Sequence, residues 1–190
     1  MWTVPLNLSD PGGPDEYREI MDEITRQAEP VPGVRSTAYA LTAPMDRTGG
    51  SHCCWSTSPS VAGRDEDDRA LHTYMHPVSP RYSETLGIEL VAGRAWTEGA
   101  ATAEPVPVVV NETYARELGG SSHGVLGMTL AFRQWSAVVV GVAADNRHYG
   151  LDQPMDHATY LPMERLPFEI PVGTLITSVE PEAGLSMPQA

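Results

Sequence analysis

The longest uninterrupted apolar run in this chain, Ala-Val-Val-Val-Gly-Val-Ala-Ala at residues 137–144, is eight residues long. That length suits a buried strand and falls far short of the ~20 residues that carry a helix across a bilayer. Other apolar stretches are shorter still, and 17 Gly and 17 Pro cut between them. Such a chain folds into short elements with many turns. Residues 78–145 show the pattern most fully. A short helix over 80–86 precedes Gly87, a residue suited to a left-handed C-terminal cap. A strand follows toward Gly93, then an Ala/Thr/Glu/Gly-rich loop from 97 to 105. Residues 106–110 read as a buried strand, with Asn111 placed to cap a helix over 112–118. Residues 128–132 and 135–142 read as a hairpin. No acid, base or nucleophile in this stretch stands at a spacing that a reaction demands, so it reads as a built shape.

The flanks extend the pattern. Residues 2–8 alternate apolar and polar, as a half-buried strand does, and Pro5 suits an edge position. A helix is predicted over 15–29, where Tyr17, Ile20, Met21 and Ile24 form one stripe. Pro30 and Pro32 stop it, and a strand is predicted over 34–45, completing a β-α-β unit. Residues 47–68 look least ordered, with a short strand near 53–57 and the acidic run Asp65–Asp68, which reads as a solvated loop. Further strands are predicted at 71–78, 158–161 and 174–179, with a frayed end from residue 180. The expected class is α+β.

Composition removes several functions. At 190 residues the chain makes one large domain or two small ones. A formal charge of −13 opposes binding to nucleic acid and anionic lipid. All 12 basic residues are arginine. A phosphate-binding P-loop and Schiff-base chemistry both need a lysine, so neither is available. Residues 1–8 carry neither the basic nor the apolar region of a signal peptide. Cys53 and Cys54 are adjacent, which disfavours an unstrained disulfide between them and leaves the redox compartment unread.

Five chemical readings compete with bland ones. Gly120-Ser121-Ser122-His123-Gly124 matches the G-x-S-x-G elbow of hydrolases, with Asp145 and His148 downstream. That motif needs a strand before it and a helix after it, and here the order is reversed. The better reading is a flexible Gly/Ser connection. His72 and His76, four apart, together with His52 and the Cys53–Cys54 pair, raise a metal site. Adjacent cysteines lack the C-x₂-C spacing of zinc sites, so incidental histidines are preferred. Asp65–Asp68 lacks the calcium-loop pattern. The sequons at Asn7 and Asn111 read as chance matches. Trp2, Trp55, Trp96 and Trp135, with Met128 and Met155, form either core or an apolar groove for a partner or substrate. No catalytic, cofactor or metal residue is assigned.

Six motifs in order carry a resemblance. They are Pro32-Gly33-Val34; Val78-Ser79-Pro80-Arg81-Tyr82; Leu86-Gly87-Ile88 leading to Gly93-Arg94; Val109-Val110-Asn111-Glu112 with Ala115-Arg116; Val139-Val140-Gly141-Val142 with Asp145; and Asn146–Asp152 with Tyr160-Leu161-Pro162. Over nearly the whole chain this resembles the periplasmic core domain of MacB/FtsX-type ABC transporter permeases, closest to stand-alone permeases. Ser83 and Trp96 stand where that family usually has Phe. The resemblance implies a porter-like β-α-β subdomain, residues 1–77 and 151–190, its returning strands truncated. It implies a smaller mixed α/β, Sabre-like subdomain inserted at 78–150. It further implies a non-catalytic extracytoplasmic (periplasmic) domain of a bacterial inner-membrane protein, cut from its membrane anchors. Such a domain would transmit ATP-driven motion to substrates or partners, in efflux, export or lipoprotein extraction. Its implied partners are the transmembrane part of the same permease, a separate or fused ATP-binding cassette, and a periplasmic adaptor or envelope protein, in a transporter that dimerises. The alternatives are an FtsX-like domain that activates a cell-wall hydrolase and an esterase using Ser122.

Overall fold

The structure is a computed structural model that describes residues 1–8, 13–45, 55–63, 71–150, 152–165 and 172–180. The strands are β1 (Trp2–Asn7), β2 (Val34–Ala40), β3 (Ser56–Thr57), β4 (Ser60–Val61), β5 (Thr73–Val78), β6 (Leu90–Gly93), β7 (Val106–Asn111), β8 (Thr129–Ala131), β9 (Ser136–Ala143), β10 (Ala158–Pro162) and β11 (Val172–Val179). The helices are α1 (Pro14–Ala28), α2 (Tyr82–Leu86) and α3 (Glu112–Gly119), with short 3₁₀ turns at Ala100–Thr102 and Met163–Arg165. Among the described residues the strands join one mixed sheet in the order β1-β11-β2-β5-β10-β7-β9-β8-β4, with β3 beside β5 and β6 beside β9. The α+β class is as expected from sequence.

The pairing of β5 with β10 and of β7 with β9 is parallel; the other pairs are antiparallel. β7, β9, β8 and β4 form one end of the sheet, with β6 beside β9, and β1, β11, β2 and β5 form the other; β4 (Ser60–Val61) joins the end otherwise built from residues 90–143 by pairing with β8. The two ends meet where β7 pairs with β10, through only two registered pairs, Thr159 with Val110 and Tyr160 with Val109. β1 lies at the edge, as Pro5 suggested.

Burial explains the sequence pattern. Val108 and Val110 face one core with Tyr114, Ala115 and Leu118 of α3, while Val109 faces another with Tyr82, Trp96 and Tyr160. β7 is therefore apolar on both faces, which is why it reads as a continuous Val run rather than an alternating one. Each such valine stabilises the fold by about 1.5–3 kcal/mol. The stripe on α1 buries Tyr17 and Met21 against Tyr39, Leu41 and Met163 in a third cluster.

Two motif glycines are explained by a close approach of backbones. Gly93 pairs with Gly141 across β6 and β9, and Gly93 has φ 68°. A Cβ on Gly93 would lie 2.2 Å from the Val140 carbonyl oxygen, and one on Gly141 would lie 2.3 Å from that of Arg94. Gly87 closes α2 in the left-handed region, with Ile88 N–H donating to Ser83 O at 2.8 Å.

Some boundaries differ from the sequence reading. The strand expected over 34–45 stops at Ala40, because Leu41 N–H turns to donate to Pro77 O. The connection expected to be flexible at 119–124 is a tied turn: Gly124 N–H donates to Ser121 Oγ at 3.0 Å, and Leu126 N–H to His123 O. The acidic run at 65–68, and residues 52–54, lie outside the described residues. No described helix is long and apolar enough to cross a membrane.

Candidate functional site

The most connected polar feature sits at the joint between the two ends of the sheet. Asn111 ends β7 and is 1 % exposed. Its Oδ1 accepts from Tyr114 N–H at 3.3 Å, capping α3, and from Ala158 N–H at 2.9 Å, at the start of β10. Its Nδ2 donates to Asp145 Oδ1 and to Asp156 O, both at 2.8 Å. Asp145 follows β9. Its Oδ1 also accepts from Thr113 N–H at 2.9 Å, and its Oδ2 from Thr113 Oγ1 at 2.7 Å and Arg116 Nη2 at 3.2 Å. One side chain thus ties β7, α3, the exit of β9 and the entry to β10. Charge-assisted hydrogen bonds of this kind hold geometry more firmly than neutral ones. The sequence assigned Asn111 only its cap. Its link to Asp145, 34 residues away, was missed, although both belong to the motifs that carried the resemblance.

Beside this knot lies a buried ring cluster. The His76 and His148 rings are 4.3 Å apart, and both approach Tyr149. His148 Nε2 lies 3.2 Å from Thr42 Oγ1. Burial holds the imidazole of His148 down to about 4, and burial, with His148 opposing, holds that of His76 well below its usual value. Both rings are therefore neutral near pH 7. The cavity beside them, lined in part by His76, Asn146 and Asp156, measures about 10 Å³, far below the size of an organic ligand's site.

The sequence candidates separate. His72 is exposed and lies just before β5, whereas His76 is buried within it. Among the described residues no group of three His, Cys, Asp or Glu side chains is placed to hold a metal ion; His52, Cys53 and Cys54 fall outside those residues. Ser122 lies in the turn between α3 and β8. Asp145 is committed to Asn111, Thr113 and Arg116, and His148 to His76 and Thr42, so neither is placed as a triad partner for Ser122. The tryptophans do not form one groove. Trp96 is buried beneath α2, while Trp55 and Trp135, with Met128, pack half-buried on the α3 core.

The motif residues of the joint invite comparison with known proteins. The chain matches the family described as the MacB-like periplasmic core domain over residues 9–190. It belongs to that family. Among solved structures it is similar to the periplasmic region of MacB from Actinobacillus actinomycetemcomitans, at 14% identity and a TM-score of 0.56, covering 95% of this chain and 75% of that one. It is also similar to a domain of a permease protein from Porphyromonas gingivalis, at 18% identity and 0.54, covering 85% and 67%. A third similar structure is the extracellular domain of the noncanonic ABC-type transporter YknZ from Gram-positive bacteria, at 13% identity and 0.54, covering 93% and 83%. No curated protein matches the chain. At these identities the solved structures establish the shared fold. Family membership makes the chain a periplasmic-type domain of an ABC transporter permease of the MacB/FtsX kind, a class that works with a transmembrane part and an ATPase.

Proposed function

We propose that this MacB-like domain is a non-catalytic mechanical element that carries ATP-driven motion from the membrane to a substrate or partner outside it. The observation that supports this reading is the joint. Two ends of one sheet meet through a short β7–β10 pairing that Asn111 and Asp145 lock to the neighbouring elements. A part that transmits displacement needs a stiff body and a defined connection, and two buried clusters, one on each face of β7, run across the joint and stiffen it. In this reading the domain is an inserted unit, residues 78–150, set on a porter-like unit made of 1–77 and 151–190, with β4 of the latter paired to β8 of the former. The work done is efflux, export or lipoprotein extraction. Its partners are the permease's own membrane segments, a fused or separate ATPase and an adaptor or envelope protein.

The test is coupling in the intact permease. Asp145→Asn keeps the shape of the joint and removes its charge. ATPase activity is expected to persist while transport per ATP falls. Unchanged transport per ATP in a folded variant refutes the lever. Capture of a cell-wall hydrolase by the wild-type domain, with hydrolase activation lost in the variant, moves the domain to an FtsX-like regulatory role. Saturable ester hydrolysis abolished by Ser122→Ala overturns the non-catalytic reading altogether.

A further inference from the structure

His157 stands immediately before β10, and the Asn111 knot holds both of its neighbours: Asp156 O accepts from Asn111 Nδ2, and Ala158 N–H donates to Asn111 Oδ1. Its own carbonyl accepts from Tyr74 N–H at 2.9 Å. The backbone that carries this imidazole is therefore fixed on both sides. Nδ1 lies 2.8 Å from the carbonyl oxygen of His72, just before β5. Nε2 lies 3.2 Å from Glu117 Oε1, on α3. The ring stacks on Tyr114, also of α3, with centroids 5.0 Å apart and planes at 24°. One side chain thus reaches from the start of β10 to the entry of β5 and to α3.

A carbonyl oxygen and a carboxylate only accept hydrogen bonds. Both ring nitrogens therefore face acceptors, and only the imidazolium, with a proton on each, can donate to both. The neutral ring has a single N–H. Directed to His72 O, it leaves the Nε2 lone pair facing the Glu117 carboxylate, where two electron-rich atoms repel. The stacked Tyr114 ring favours the same form, since an aromatic face attracts a cation. Tyr114 is itself neutral, burial pushing the proton affinity of its phenol up. The other titratable groups beside the ring are engaged elsewhere. Arg116 and Asp145 pair with each other, Asp156 lines the small cavity beside His76, and the His72 ring sits edge-on to Tyr74.

We infer that His157 is a proton-operated clasp across the joint: carrying two protons it ties α3 to the entries of β5 and β10, and on losing one it releases Glu117 while keeping its hold on His72. This stands whether or not the joint transmits force. The pairing with Glu117 exists only for the charged ring, so its stabilisation is present on the acid side of the range in which imidazoles titrate and is lost as pH rises through it. The experiment is a double-mutant cycle on the 190-residue chain, with His157→Ala, Glu117→Ala and the two together, unfolded in urea at about pH 5.5 and about pH 8. The cycle cancels what either substitution does elsewhere. At the lower pH the two side chains should be coupled by about two- to fivefold in the unfolding equilibrium constant, the scale of a partly exposed ion pair, since Glu117 is 54% exposed. At the higher pH the coupling should vanish. Nitrogen NMR of the His157 ring in the parent chain is a second measurement that needs no variant to fold. The neutral ring, at about pH 8, should hold its proton on Nδ1. Equal coupling at both pH values, no coupling at the lower one, or a neutral ring protonated on Nε2 overturns the clasp.

Discussion

Replacing Asn111 separates two accounts of the joint. Asn111→Ala removes four hydrogen bonds at once. Losing an Asn cap costs about 1 kcal/mol. The Ala158 N–H, freed in a residue 6 % exposed, adds roughly 1–3 kcal/mol for an unsatisfied buried donor. The expected loss is therefore about 2–4 kcal/mol, a fall in melting temperature of roughly 4–16 °C for a domain of this size. The sharper variant is Asn111→Asp. Aspartate is as good a helix cap as asparagine. If capping were the whole role, the variant would match the parent. In the joint, though, the Nδ2 donor becomes a carboxylate oxygen facing Asp145 Oδ1, where the present contact is 2.8 Å. Two carboxylates at that distance repel, and the second acceptor lobe of Asp156 O loses its donor as well. Asn111→Asp should thus be less stable than the parent at pH 7 by about 2 kcal/mol or more. The sign with pH is opposite to ordinary acid unfolding. The repulsion raises the folded-state affinity of the pair for one proton, so part of the deficit returns as pH falls toward the carboxylate range. Urea unfolding of both chains at several pH values between 5 and 8 measures it. Equal stability of Asn111→Asp and parent at pH 7 would refute the locking role and leave only a cap.

Other outcomes follow from the same packing. Gly93→Ala places a Cβ against the Val140 carbonyl in a left-handed residue and should destabilise by more than about 2 kcal/mol, read as lost amide protection in β6 and β9. His148 is held neutral down to about 4, against about 6.5 when unfolded, so the unfolded chain takes up the proton first. Stability is full above pH 6.5 and should fall by about 3 kcal/mol as pH drops through 4, a loss that His148→Gln reduces in urea titrations. Leu118→Ala, in the α3 core at 3 % exposure, should cost about 2–5 kcal/mol by thermal melt. Ser122→Ala should leave melting temperature and fold unchanged within about 0.5 kcal/mol, since the hydrogen bond of that turn is made by Ser121.

Local signals were enough for most elements. Tyr17, Ile20, Met21 and Ile24 marked α1 because helical spacing turns them to one side, and Gly87 and Asn111 marked helix ends because few residues satisfy those backbone positions. The Val run at 106–110 announced a strand with two buried faces. Less was legible of the candidate sites. His72 and His76 have the same spacing whether exposed or buried, and only the fold puts one outside and the other against His148. The G-x-S-x-G match failed on context, which sequence did supply, but the partners of Asp145 could not be read from it.

The amino-acid order alone determined the short alternating elements, their caps and turns, the want of lysine chemistry and the family that the motifs identify, since each depends on neighbours within a few residues or on composition. Only the tertiary structure decided that β7 and β10 would become adjacent, that Asn111 would reach Asp145 and Asp156, and that Gly93 would lie against Gly141. Those are contacts between residues distant in the chain. Their energy comes from burying whole faces together and from pairing buried polar groups such as the Asn111 side chain, and that condition can be met only when all the elements are in place at once.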